Sequence, residues 1–176
     1  GMRYGIWTPV NDVFPEEVMR HPQITKYGHA FVCPHIPEAR RRLRAFREKL
    51  FSMLPAIDVV FFPSRDDGGC PGCEDCTPWV PVYIELVKEQ TELLHRHHPG
   101  CKVWMAQQGL SASETEHLVQ WLADEQPGWV EGVAFGPFSE LMTFSDPFAP
   151  DSNLSLESYG RSGTLSAPVN RLRGAL

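Results

Sequence analysis

The feature that most constrains this chain is a rhythm. Short stretches rich in β-branched and aromatic residues recur, and most are followed by a longer segment in which apolar residues return at helical spacing. The stretches at residues 3–8 (RYGIWT), 29–33 (HAFVC), 57–62 (IDVVFF), 102–106 (KVWMA) and 131–135 (EGVAF) read as strands. The third is nearly all apolar, as expected of a parallel strand covered on both faces. Alternation of this kind specifies an α/β fold with a parallel sheet of about five βα units and right-handed crossovers. A complete barrel takes about 250 residues, so a length of 176 favours the alternative, an open doubly wound sheet. The motifs below favour a partial, TIM-barrel-like arrangement. Residues 1–144 form that unit; residues 145–176, rich in Ser, Pro, Gly and Asn and without periodicity, read as an irregular tail.

The helical segments carry their own signals. Ala39, Leu43, Phe46, Leu50 and Met53 make one apolar stripe, while Arg40, Arg41, Arg42, Arg44 and Arg47 fill the other faces. Because 22 acidic residues outweigh 16 basic ones, for a net charge of −6, this run reads as a solvated face rather than an anion patch. The same acidity argues against nucleic acid or an anionic membrane as partner. Thr77 followed by Pro78 reads as a helix start, and Ser113 with Glu116 as a capping box opening the next helix. Gly1-Met2 reads as a tag scar, no signal-peptide pattern follows, and no run approaches the roughly 18 apolar residues of a membrane span. A soluble chain is expected. An incomplete barrel leaves parallel edges unpaired, so a homo-oligomer covering them is expected too.

In a parallel α/β sheet, ligands bind at the carboxyl ends of the strands. That rule selects Asn11 and Asp12 after the first strand, Cys33 and His35 after the second, and Arg65, Asp66 and Asp67 after the third. Gln107 and Gln108 follow the fourth, and Trp79 stands close to the third. Carboxyls for acid–base work, amides for hydroxyls and an indole for the apolar face of a pyranose together suit a carbohydrate. Asp66 and Asp67, with Asp12 as an alternative second carboxyl, are the candidate catalytic groups. Asn11, His35, Arg65, Trp79, Gln107 and Gln108 are the candidate substrate contacts. The bland reading of Asp-Asp-Gly-Gly is a turn.

The stretches YGIWTPVNDV, FVCPHIPEARRRL, LPAIDVVFFPSRDDGGCPGCEDCTPW, HPGCKVWMAQQG and GWVEGVAFGPF together resemble the middle of a bacterial family of glycoside-hydrolase-like TIM barrels. These are relatives of the hexosaminidase and α-glucuronidase barrels, and the likeness covers roughly residues 3–138. The resemblance implies hydrolysis of a glycosidic bond, with Asp66 and Asp67 as the acidic pair and Asp12 and Gln107 as rim partners.

Five cysteines, an odd number, make no disulfide framework for a protein of this size. Cys70, Cys73 and Cys76 are clustered at C-x2-C-x2-C spacing. They suit zinc or an iron–sulfur cluster if Cys33 or His35 completes the set from the neighbouring strand. A disulfide or three buried thiols that stiffen a sugar-site loop, with no cofactor at all, is the competing reading.

Overall fold

The computed structural model describes residues 4–25, 31–64, 69–70 and 73–134. Residues 29–30 of the expected second strand, Arg65, Asp66 and Asp67, the end of the expected fifth strand at Phe135 and the tail at 145–176 lie outside the described residues.

Four strands form one parallel sheet: β1 (Gly5–Trp7), β2 (Val59–Pro63), β3 (Lys102–Ala106) and β4 (Gly132–Ala134), in spatial order β1-β2-β3-β4. The helices are α1 (Pro15–Arg20), α2 (Pro37–Met53), α3 (Trp79–His97) and α4 (Ala112–Glu125). The parallel α/β class is therefore as the rhythm predicts. Among the described residues the sheet has four strands. The stretch expected to give a second strand does not join the sheet with its described residues; Phe31 makes an isolated antiparallel bridge to Asp12 instead. Its apolar residues serve a loop packed beside the strand ends. Sequential order with crossovers of one hand carries every connecting helix to one face, as in an arc of a (β/α) barrel. The reversal of strand order that defines a doubly wound sheet is absent among the described residues.

Register shows the two faces. Ile6, Val60 and Val103 align across the strands, as do Phe62, Met105 and Val133 one step beyond, and all of these except the half-buried Ile6 are fully buried. They pack with Leu43 and Phe51 of α2, Leu86, Val87 and Leu94 of α3, and Leu118 and Leu122 of α4 in one core. Between these rows lie Trp7, Phe61 and Trp104, aligned on the opposite face and stacked at centroid distances of 5.7 and 6.1 Å. Trp7 is 48% exposed, so this face is apolar without being closed.

The buried side of α2 departs from the expected stripe. Ala39, Leu43, Arg47 and Phe51 face inward at intervals of four, while Met53 is exposed. The other arginines are a solvated face, as expected, but an ion-paired one. Arg40 meets Glu85 (2.7 Å) and Glu89 (3.0 Å) on α3, Arg44 meets Glu89 (3.1 Å), and Arg42 reaches Glu17 on α1.

Helix starts were displaced by a residue or two. Both Ser111-x-x-Glu114 and Ser113-x-x-Glu116 fit a capping box, and the chain uses the first: Glu114 N–H donates to Ser111 Oγ (3.2 Å) and Ser111 N–H to Glu114 Oε2 (2.9 Å). Thr77 does not cap α3. The helix starts at Trp79, Pro81 falls in its first turn where no backbone N–H is needed, and Thr77 Oγ1 donates to Cys73 O (3.0 Å).

Candidate metal centre

All four parallel strands end on one side, and two of the segments that continue from there carry the cysteines. The first follows β1. Asn11 and Asp12 run beside residues 31–32, with Val32 N–H donating to Asn11 O (2.8 Å). Cys33 comes next, its N–H given to Ile24 O (3.0 Å) and its carbonyl accepting from Ile36 N–H (3.1 Å) in the turn that leads into α2. The second segment follows β2, where Ser64 is anchored by N–H to Ala106 O (2.9 Å) and by Oγ to Gln108 O (2.5 Å).

Gly69 is where the β2 loop turns inward. It has φ +65°, and a Cβ there would lie 2.7 Å from Trp79 Cε2, so both its backbone conformation and the indole packed on it require glycine. Successive cysteines are then linked by backbone hydrogen bonds. Cys73 N–H points to Cys70 O (3.4 Å) and Cys76 N–H to Cys73 O (3.1 Å), the latter closing the 3-10 turn Glu74–Cys76. A three-residue repeat suits this geometry because side chains at i and i+3 eclipse.

The result is a convergence of four thiols. The Sγ atoms of Cys33, Cys70, Cys73 and Cys76 all lie within 4.8 Å of one another. Cys33 Sγ stands 3.8 Å from Cys73 Sγ and 3.9 Å from Cys76 Sγ, although Cys33 and Cys73 are 40 residues apart in sequence. His35, the other candidate for the fourth position, is exposed and outside the group. The cysteines are free thiols, not disulfides, and buried.

These distances carry chemical information. Four sulfurs at about 2.3 Å from one ion, arranged tetrahedrally, are about 3.8 Å from each other. The Cys33–Cys73 and Cys33–Cys76 separations already match that edge. An iron–sulfur cluster places inorganic sulfide and more than one iron between its thiolates and spreads them further apart. Burial pushes the Cys70 thiol up to about 12 against a hydrogen bond with Cys76 that lowers it, and burial raises Cys76 as well, where Cys73 and Cys70 add to the effect. Cys70 and Cys76 in such surroundings stay protonated until a cation compensates the charge. Donor number, softness and spacing therefore fit a mononuclear, closed thiolate site.

The residues expected to touch a substrate are held by the protein itself where they are described. Asn11 is 1% exposed and donates from Nδ2 to Val32 O (3.0 Å) and Gly69 O (2.9 Å). Asp12 pairs with Arg47, which also reaches Thr8 Oγ1 (2.6 Å) and Pro9 O. Trp79 is 2% exposed, with its indole N–H on Ser64 O (3.2 Å). Gln107 is fully buried and accepts from Thr115 Oγ1 (2.9 Å); Gln108 is buried too. Asn11, Cys33 and the β2 cysteines are thus brought together, whereas Asp12 is turned toward α2 and His35 toward solvent. Arg65, Asp66 and Asp67 are outside the described residues.

The sequence reading places Arg47 on the solvated face of α2, whereas it is 1% exposed. Its signal was its place four residues after Leu43, inside the apolar period of α2. Burial lowers its pKa, and the charge and hydrogen bond of Asp12 act the other way.

Fold and site together define an α/β domain with a four-cysteine centre at the carboxyl ends of its strands. No known protein family and no curated protein matches the chain.

Proposed function

We propose that this chain is a metal-stabilised α/β domain in which Cys33, Cys70, Cys73 and Cys76 hold one zinc-class ion. The observation that carries the reading is the approach of four Sγ atoms to within 4.8 Å from two separate segments. Four thiolates fill a tetrahedral ion and leave no open position for water or substrate, so the ion's work is structural. It staples the loop after β2 to the segment ahead of α2. Iron in the same four-sulfur geometry is the metal alternative. Elemental analysis of chain expressed with zinc present is expected to give one zinc per molecule. Cys33→Ser and Cys73→Ser are each expected to abolish stoichiometric uptake and lower Tm. Free zinc at about 100 times its Kd stabilises a folded chain by roughly 2.7 kcal/mol. Metal-free chain whose Tm is indifferent to zinc and to both substitutions contradicts the proposal.

A second reading concerns the same rim: a glycoside-hydrolase-like carbohydrate site using Asp66 and Asp67. It is supported by the parallel course of all four strands, which gives the β2 end, from which residues 65–68 continue, the same side as the ends of β1 and β3. The metal then stiffens the loop that bears the acids. In a glycoside panel, Asp66→Asn or Asp67→Asn is expected to lower turnover by about 10²–10⁴-fold, the usual worth of a general acid or base. Turnover indifferent to both changes removes this reading and leaves the metal centre standing.

A further inference from the structure

The two halves of the cysteine centre come from segments with no strand pairing to each other among the described residues, and the thiols themselves repel any close approach once ionised. Something other than the ion has to set their separation. One side chain bonds to both segments. Asn11 Nδ2 donates to Val32 O at 3.0 Å and to Gly69 O at 2.9 Å, and these carbonyls belong to the residues immediately before Cys33 and Cys70.

We propose that Asn11 is the positioning residue of the metal centre: its carboxamide ties the two ligand-bearing segments together one residue ahead of each first ligand. The inference rests on the metal reading given above. Three features support it. The side chain is 1% exposed, so water does not compete for either bond. Both acceptors are carbonyl oxygens, which fixes the amide orientation, because the opposite flip would aim Oδ1 at two oxygens. The Asn11 backbone is itself held, since its carbonyl accepts Val32 N–H (2.8 Å) and the preceding carbonyl, Val10 O, accepts from Gln90 Nε2 on α3. An asparagine thus placed acts on the ion without touching it, as outer-shell hydrogen bonds to ligand-bearing groups do.

The test is a competition titration of the full chain with cobalt(II), whose thiolate charge-transfer bands report ligand number directly. Wild type is compared with Asn11→Ala, Asn11→Asp and, as a control destabilised elsewhere, Leu118→Ala. Asn11→Asp keeps the shape and loses both donors. Both Asn11 variants are expected to bind about 10–100-fold more weakly, the usual cost of losing an outer-shell partner, with unchanged four-sulfur bands at saturation. Leu118→Ala is expected to lose thermal stability at unchanged cobalt affinity. Wild-type affinity in both Asn11 variants overturns the inference while leaving the metal centre intact; wild type that takes no cobalt removes both. If the Asn11 variants do not fold, metal-free wild type decides by NMR. Slowly exchanging Asn11 Nδ2 protons are expected there, and exchange at the rate of a free carboxamide overturns the inference.

Discussion

Tyr83 shows how a single polar atom is accommodated in this core. Its hydroxyl inserts at the end of the β2–β3 ladder, donating to Phe62 O (2.6 Å) and accepting from Ala106 N–H (3.0 Å), and burial raises its pKa so that it stays a neutral donor. Removing it leaves a buried N–H and a carbonyl without that partner. Tyr83→Phe is therefore expected to cost about 1–3 kcal/mol in urea unfolding, despite keeping the ring. A cost near zero contradicts this account of the strand ends. Arg47 belongs to the same class of buried polar anchor. Its Nε and the Oε1 of Gln90 have no hydrogen-bond partner among the described residues, so two side chains beside the loop after β1 carry a polar atom not met there. That loop also bears Asn11.

At the scale of elements, α2 and α3 are clamped at their carboxyl ends. Glu48 accepts from His97 Nε2 (2.7 Å) and Arg96 (2.6 Å), while His98 Nε2 donates to Phe51 O (2.9 Å) and His95 Nε2 to Cys101 O (2.9 Å). The hydrogen bond from His97, followed by the charges of Arg96 and His97, holds the Glu48 carboxyl below its usual value. For an acid whose folded pKa is depressed, the stabilisation is present above the unfolded pKa and is lost as pH falls through the folded one. The stability gap between wild type and Glu48→Gln is expected to close as pH drops from about 5 toward 3, below the ordinary carboxylate range. A gap that persists undiminished at the acid end contradicts the clamp. His95, His97 and His98 at the end of α3 are thus fastened to α2 and to the residue just ahead of β3.

Elements with strong periodicity were legible from the sequence. The strand at Lys102–Ala106 and the buried residues Leu86, Leu93, Leu94, Leu118 and Leu122 follow directly from alternation and helical spacing. What failed were choices between equal local signals. HAFVC has a strand's composition, yet Phe31 pairs with Asp12 outside the sheet, because apolar content reports burial and not partner. Three cysteines of the centre were visible as a motif. The fourth was narrowed to Cys33 or His35, and only the fold could decide, since the thiol that completes the set comes from a distant segment. Asn11 was legible as a rim residue; that its amide is spent on two carbonyls was not, because those carbonyls come from elsewhere in the chain.

For the whole molecule, one sheet wound in sequential order packs its helices on one face and gathers its functional loops at one end. Among the described residues no helix is long and apolar enough to cross a membrane. Among the described residues the loops after β1 and β2 share no strand pairing with each other and meet through four thiols and one carboxamide. The domain's end is thereby organised by chemistry where the sheet stops. Zinc K-edge X-ray absorption on the purified chain tests this most directly. One zinc per chain with four sulfur scatterers at about 2.3 Å and no metal–metal scattering is expected. Nitrogen or oxygen in place of sulfur, a metal–metal distance, or a folded chain that takes up no metal contradicts it.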